Sequence, residues 1–188
     1  MFSPLTRDQY SYEGGLSNEN LLDVLARAGF AVEWWDNNTG HKDVAARIPS
    51  RTMAAADGAE FCQPECIDGV FLKHLEEKAA TITGNTVIVL HQVGSHGPSY
   101  WLRYPHDAEI FSPACKTPEL TDCSTEEIVN AYDNTIAYTD RFLSEVIDLL
   151  DSHDRVIPAM YYVSDHGESL GEGGLYLHGT PYFMAPDH

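Results

Sequence analysis

The sequence predicts an α/β fold with a mostly parallel sheet flanked by helices. The run Thr86–Leu90 is continuously apolar, as expected for a strand of a parallel sheet that is covered on both faces. Helical and strand-like patterns alternate along the chain, which is typical of βαβ units. The 188 residues, 43% of them hydrophobic, are enough for one globular domain, and no repeat or linker divides them.

The N-terminal half supplies the first predicted elements. Residues 1–17 are expected to be irregular. Ser17 or Asn18 is expected to cap a helix over residues 19–28, which Gly29 ends. After it we expect a strand over 30–35, a polar loop over 36–42, a helix over 67–80 and a strand over 86–90.

The C-terminal half contains the longest predicted helix and the last strand. The helix covers residues 125–150, and its acidic first turn suits the positive end of a helix dipole. Its apolar face is expected to consist of Ile128, Ala131, Ile136, Phe142, Val146 and Leu149. The apolar and aromatic run 159–164 is predicted to be a buried strand that ends at Asp165.

Composition excludes several classes of function. The formal net charge of −18 argues against a protein that binds nucleic acid, because few cations are available to neutralise phosphates. No apolar run approaches the roughly 20 residues that span a bilayer, and the first residues lack the features of a signal peptide. We therefore expect a soluble segment, and Met1 is read as an internal methionine of a longer protein.

The four cysteines form two local pairs, Cys62 with Cys66 and Cys115 with Cys123. Close pairs in loops predict two disulfides and an oxidising compartment. The alternative is a zinc site with four cysteine ligands, although the spacings do not match those of a zinc ribbon. Disulfides are the favoured interpretation.

Asp165 and His166 follow the predicted last strand, and His178 comes after a glycine-rich loop. A carboxylate with neighbouring imidazoles is typical of a divalent-metal site, and zinc is the first candidate. Since open α/β sheets bind ligands beyond the carboxyl ends of their strands, these residues are expected to converge with His91 and His96. His91 is as easily an outer residue that supports the site.

Asn38 and Lys42 lie in the polar loop after the predicted strand 30–35. An amide and an ammonium group in such a loop are able to hold a phosphate group. A solvated turn is the alternative interpretation.

Three motifs together resemble one family. They are Ser95-His96-Gly97-Pro98 with Arg103-Tyr104-Pro105 behind it, Ser164-Asp165-His166-Gly167-Glu168 followed by Tyr176-Leu177-His178-Gly179, and Trp34-Trp35-Asp36-Asn37-Asn38 through Lys42. In their order along the chain they resemble the phosphoethanolamine transferases of Gram-negative envelopes, which include the mobile colistin-resistance enzymes. That family belongs to the alkaline phosphatase/sulfatase superfamily, and the resemblance covers nearly the whole chain.

The resemblance implies a role for each candidate residue. Asp165 and His166 would be zinc ligands, and His96 and His178 would act in catalysis by binding the donor phosphate or a second zinc ion. His91, Asn38 and Lys42 would line the phosphoethanolamine pocket. The family reaction moves phosphoethanolamine from phosphatidylethanolamine to lipid A or to lipopolysaccharide core sugars through a phosphorylated threonine.

The resemblance also implies an incomplete catalytic domain over residues 1–188, truncated at both ends. The family's nucleophilic threonine lies upstream of a Pro-Cys-Met-Phe-Ser segment, whereas this sequence begins at Met1-Phe2-Ser3. A glutamate ligand and the membrane domain would also lie outside it. We therefore expect a monomeric fragment that is inactive alone, from an enzyme on the periplasmic face of the inner membrane. The alternatives are a sulfatase or phosphodiesterase of the same superfamily, and a metal-binding remnant without activity.

Overall fold

A three-stranded parallel sheet forms the centre of the N-terminal half in the computed structural model, which describes residues 2–179. Strand β1 (Ala31–Asp36) lies between β2 (Ser50–Thr52) and β3 (Thr86–His91). Both pairings are parallel, and their register sets Asp36 beside His91. The parallel sheet confirms the predicted α/β class.

The described residues divide into two compact units. The first comprises residues 2–93 and 149–157, and the second comprises residues 94–148 and 158–179. The first unit contains the parallel sheet with α1 (Tyr12–Ser17), α2 (Leu21–Arg27) and α3 (Phe71–Thr81). Its core includes Trp34, Val32, Leu22 and Ala45, all of which are buried.

The second unit contains most of the long helix α4 (Thr125–Asp151) and a short antiparallel pair, β4 (Ser169–Leu170) with β5 (Tyr176–Leu177). Tyr100, Cys115, Ile128 and Ala131 form its buried cluster. Leu170, Tyr176 and Leu177 pack against that cluster, so the β4–β5 pair is attached to the same core as α4.

Both predicted disulfides are present. Cys62 is bonded to Cys66 and Cys115 to Cys123, and there is no free cysteine in the described part of the chain. The Cys115–Cys123 bond joins the buried cluster of the second unit to the turn that precedes α4. The four-cysteine zinc site is therefore wrong.

The caps of α2 correct its predicted start. The Asn20 side chain accepts hydrogen bonds from the backbone N–H groups of Leu22 (2.9 Å) and Asp23 (3.3 Å). The Asp23 carboxylate accepts in return from the Asn20 N–H at 2.8 Å, which completes a capping box. The predicted caps, Ser17 and Asn18, lie at the end of α1 instead.

The predicted strand over 159–164 is wrong, because no strand forms between Val156 and Ser164. Its large side chains are exposed, with Tyr161 at 88% and Val163 at 43% of their maximum. An apolar run becomes a strand only where a neighbouring strand supplies hydrogen bonds, and none of the described strands pairs with it. The remaining predicted helices and strands are present, with ends shifted by a few residues.

The expectation that residues 1–17 are irregular is wrong for α1, where the Ser11 side chain caps the helix by accepting from the Gly14 N–H.

Helix α4 buries a polar side chain, Asn134, that its apolar pattern does not indicate. Ile128, Ala131, Phe142 and Val146 are buried as predicted, but Ile136 is 47% exposed. Asn134 is instead fully buried. Its carbonyl oxygen accepts from the N–H groups of Ile110 (2.7 Å) and Phe111 (2.9 Å), and its amide donates to the Phe111 carbonyl at 2.9 Å.

No helix within residues 2–179 combines the length and the apolar composition that crossing a bilayer requires.

Replacing Asn134 with alanine is expected to lower the free energy of unfolding by about 1–3 kcal/mol, because three backbone groups of the 110–111 segment lose their partner. Chemical denaturation of the purified chain measures the loss. The matched control is Asn130→Ala on the same helix, which removes a single hydrogen bond to the Pro113 carbonyl. Equal losses in the two variants would contradict the structural role of Asn134.

Candidate functional site

The predicted site residues fall into two groups, one in each unit. Asn38, Lys42 and His91 belong to the first unit, and His96, Asp165, His166 and His178 belong to the second. Each group is described by itself, and convergence of the two groups stays a prediction.

His91 is positioned by the carboxylate of Asp36, its neighbour in the parallel sheet. The register of β1 and β3 pairs the two residues, and the His91 Nδ1 atom lies 3.1 Å from Asp36 Oδ2. The Trp34 ring packs against the imidazole with ring centroids 5.0 Å apart. The imidazole is 27% exposed, so part of the ring is accessible from outside.

The same carboxylate organises the loop that carries Asn38. Asp36 Oδ1 accepts from the N–H groups of Asn38 (2.8 Å) and Gly40 (3.3 Å). The Asn38 side-chain amide then donates to the Gln92 carbonyl at 3.0 Å, which ties the loop after β1 to the residues after β3. Asn38 and His91 are thus brought to one edge of the sheet, as predicted.

Asp36 is ionised despite being buried. Burial raises its pKa, but hydrogen bonds from His91, Trp34 and the Asn38 N–H outweigh this effect and hold the pKa below its ordinary value. The stabilisation is therefore present above the ordinary pKa of an aspartate and is lost as the pH falls through the lowered one.

Asp68 is a second buried carboxylate that joins the same two loops. One of its oxygens accepts from the Asn37 side-chain amide and from the Val93 N–H, each at 2.9 Å. The Asn37 N–H donates to the His91 carbonyl at 2.9 Å. The backbone on either side of the candidate pocket residues is therefore fixed at several points.

Lys42 lies further out in the loop. It is exposed, and its ammonium group donates to the Thr39 carbonyl at 3.2 Å. Its backbone has φ = 46°, and Asp43 follows with φ = 62°. Residues other than glycine rarely adopt this left-handed conformation. The chain holds this strained turn where the phosphate-binding lysine is predicted.

Three imidazoles lie against one another in the second unit. The ring centroids of His166 and His178 are 4.2 Å apart, and those of His96 and His178 are 4.9 Å apart. His178 is thus the central ring of this imidazole cluster, which we define as His96, His166 and His178. The structure places these three candidate residues side by side.

Each ring of the imidazole cluster has an acceptor at Nδ1. His96 Nδ1 lies 2.8 Å from the Gly97 carbonyl oxygen, and His166 Nδ1 lies 2.7 Å from that of Gly167. His178 Nδ1 lies 3.3 Å from both carboxylate oxygens of Glu168. Because carbonyl and carboxylate oxygens only accept, the proton resides on Nδ1 and each neutral ring presents its Nε2 lone pair.

Glu168 is a site residue that sequence reasoning did not single out. Its side chain is only 4% exposed, and it holds the central imidazole of the cluster. The available sequence signal was its place in the same Asp-His-Gly-Glu run as the predicted metal ligands. Its specific partner, ten residues further along the chain, depends on the fold.

Gly97 is required for the close packing of the loop that bears His96. A Cβ atom at this position would lie 2.6 Å from Leu177 Cδ2 and 2.7 Å from the Tyr100 hydroxyl. Tyr100 is buried, which raises its pKa, and the nearby Glu168 raises it further. The glycine therefore lets the loop lie against the β5 residue that precedes His178.

The donor set of the second unit fits a zinc ion. Imidazole Nε2 atoms and carboxylates are preferred zinc ligands, and the structure supplies both types in residues 165–178. Asp165 is 72% exposed, and its Oδ1 lies 3.8 Å from His166 Nε2. Within residues 2–179, no three His, Cys, Asp or Glu side chains are already arranged around one point. Asp165 and His166 are thus adjacent as predicted, and the ligand roles stay a prediction.

Comparison with known proteins relates the chain to one enzyme family. The sulfatase family model matches residues 1–188. The chain is 44% identical to phosphoethanolamine transferase EptA of Escherichia coli (strain K12), over 100% of this chain and 35% of that protein. It is 40% identical to phosphatidylethanolamine transferase Mcr-1 of Escherichia coli, over 99% of this chain and 36% of that protein.

A solved structure shows the same fold. The soluble domain of lipooligosaccharide phosphoethanolamine transferase A from Neisseria meningitidis superposes with a TM-score of 0.91 at 39% identity, over 97% of this chain and 55% of that one. The predicted sulfatase-like fold is thus confirmed. The chain spans about a third of the length of the curated relatives it matches. On the family match and the shared fold, the chain belongs to the sulfatase family.

Proposed function

We propose that the chain is part of the periplasmic catalytic domain of an enzyme that transfers phosphoethanolamine from phosphatidylethanolamine to lipid A or to the lipopolysaccharide core. The observation that carries the proposal is the imidazole cluster, in which three rings have their Nδ1 protons fixed and their Nε2 atoms available. The identity of 44% and 40% to proteins named as phosphoethanolamine and phosphatidylethanolamine transferases supports it.

The transferred group is a phosphodiester, so the site must bind anionic oxygens and protonate a leaving alkoxide. We assign His96 and His178 to the phosphoryl oxygens, to which each ring donates from Nε2 in its protonated form, and we assign proton donation to His178. The Glu168 side chain is 4% exposed, and its carboxylate lies 3.3 Å from His178 Nδ1, where it orients the ring. Asn38, Lys42 and His91 are assigned to the phosphoethanolamine pocket, where the Lys42 cation offsets the phosphate charge.

The first step forms a bond between a threonine oxygen and phosphorus and breaks the bond from phosphorus to the diacylglycerol oxygen. The proton lost by the threonine is balanced by the proton that the diacylglycerol oxygen gains. We propose that this threonine is supplied by a part of the enzyme outside residues 1–188. An acceptor oxygen of lipid A or of a core sugar then displaces the threonine.

Zinc is proposed as the cofactor, with Asp165 and His166 as ligands in this chain. When bound, zinc would polarise the phosphoryl oxygens and favour the ionised form of the attacking hydroxyl. The Asp165 carboxylate is exposed, and its Oδ1 atom lies 3.8 Å from His166 Nε2. The two disulfides fit an oxidising compartment and hence the periplasmic face of the inner membrane.

The biological consequence follows from charge. Each ethanolamine adds a positive charge to an anionic envelope lipid. Cationic peptides such as polymyxins are then bound less tightly, because part of their electrostatic attraction is lost. We therefore propose that the whole protein confers polymyxin resistance. Separately, we propose that it acts as a monomer.

Replacing His178 with alanine in the complete protein is expected to lower kcat/KM for phosphatidylethanolamine by about 100-fold or more, because phosphate binding and proton donation are both lost. Release of fluorescent diacylglycerol, together with mass spectrometry of added lipid A, measures the reaction. The matched control is His106→Ala, an exposed histidine of the second unit that should leave the rate unchanged. Release of free phosphoethanolamine with no modified lipid A would indicate a phosphodiesterase and contradict the transferase.

Chelation of the complete protein is expected to abolish transfer, and added zinc is expected to restore it. Asp165→Ala should lower the zinc retained per protein chain, as measured by atomic emission. Asp148→Ala is the control, because this exposed aspartate lies on α4. Full zinc retention by Asp165→Ala would overturn the ligand assignment. It would not bear on the transferase reaction, which the lipid assay tests.

A further inference from the structure

The Asp36 carboxylate accepts hydrogen bonds from residues outside its own strand. Asp36 is the last residue of β1, is 2% exposed, and lies where the chain leaves the sheet towards Asn38. Its two carboxylate oxygens accept four hydrogen bonds from four different residues, which are Trp34, Asn38, Gly40 and His91. Two of these partners are residues assigned above to the phosphoethanolamine pocket.

The two oxygens divide their tasks. Oδ1 accepts the backbone N–H groups of Asn38 and Gly40 and so shapes the loop. Oδ2 accepts Trp34 Nε1 and His91 Nδ1, each at 3.1 Å, and so orients two rings that also pack on each other. Losing the charge on this carboxylate would thus affect the loop and the imidazole together.

The contact determines which nitrogen of His91 is available. An ionised carboxylate only accepts hydrogen bonds, so His91 Nδ1 carries a proton. In the neutral ring the lone pair is then on Nε2, away from Asp36. The imidazole thus presents an acceptor outwards when neutral and an N–H donor when protonated, and both states have the same ring orientation.

Strand β1 provides a natural comparison in Glu33. Its carboxylate accepts from Trp35 Nε1 at 3.0 Å and pairs with Lys78. Like Asp36, it therefore binds an indole N–H group and a second side chain at the same time. Side chains alternate along a strand, which puts residues 33 and 36 on opposite faces of the sheet. Glu33 contacts neither Asn38 nor His91 among its hydrogen bonds in the described structure.

We propose that Asp36 is a positioning residue of the phosphoethanolamine pocket, because its carboxylate fixes the Nδ1-protonated form of His91 and the loop conformation of Asn38. This inference rests on the proposed function for its effect on catalysis. Its structural part, the form of the His91 ring, is independent of any activity.

The Asp36→Asn variant tests the structural part. The asparagine oxygen is still able to accept from the Asn38 and Gly40 N–H groups, but its NH₂ group then faces the N–H groups of Trp34 and His91. To avoid two opposed donors, the His91 ring is expected to move its proton to Nε2. Nitrogen-15 shifts of the imidazole at about pH 9, where a free imidazole is neutral, distinguish the two forms.

The His91 signal is assigned by its loss in His91→Gln. We expect Nδ1 to be protonated in the wild type and in Glu33→Gln, and Nε2 to be protonated in Asp36→Asn. Unprotonated Nδ1 in the wild type, or the same form in wild type and Asp36→Asn, would overturn the proposal. If Asp36→Asn fails to fold, Trp34→Phe removes the competing indole donor, and Nδ1 of His91 must then stay protonated.

The catalytic part is tested in the complete protein with fluorescent phosphatidylethanolamine. Asp36→Asn is expected to lower kcat by about 10- to 100-fold, the usual effect of removing a carboxylate that orients a working histidine. KM is expected to change less, and Glu33→Gln is expected to retain the wild-type kcat. Equal losses of kcat in Asp36→Asn and Glu33→Gln would contradict a positioning role and leave Asp36 with a structural role alone. An inactive wild type with the expected imidazole shifts would instead reject the proposed function alone.

Discussion

The buried carboxylate of Asp36 is the constraint on which the first unit's functional edge depends. Placing a charge at 2% exposure costs free energy unless several donors surround it, and four donors do so here. Two come from the loop after β1 and one from the end of β3. The cost of burial is therefore offset only when the strand register, the loop and the His91 ring are all in their native places.

The second unit applies the same chemistry to three imidazoles. Carbonyl oxygens of Gly97 and Gly167 and the carboxylate of Glu168 each occupy one ring nitrogen. Gly97 and Gly167 each follow their histidine directly in sequence, so these two contacts are local. The His178–Glu168 contact spans ten residues and needs the β4–β5 pair, which packs on the buried cluster around Tyr100. Ring orientation is thus set partly by local backbone and partly by the core.

The elements that sequence patterns predicted well are those whose partners are close in sequence or whose pattern is long. Helix α4 is of this kind, as are both disulfides. The run 159–164 has the composition of a buried strand but lacks a pairing partner in the described sheet. Ile136 fits the helical period yet is exposed, while Asn134 is buried because the 110–111 segment needs its hydrogen bonds. Neither outcome follows from hydrophobicity, since each depends on what packs opposite.

The sequence by itself determined the fold class, the two disulfides and the identity of the candidate residues, because strand composition, cysteine spacing and the His- and Asp-bearing motifs are local features. Tertiary structure alone decided which nitrogen each histidine presents and which carboxylates hold it. Asp36 meets His91 across 55 residues through the parallel register, and Glu168 meets His178 through a hairpin. A hydrogen bond depends on distances of a few tenths of an ångström and on direction, and only packing of the whole chain sets these.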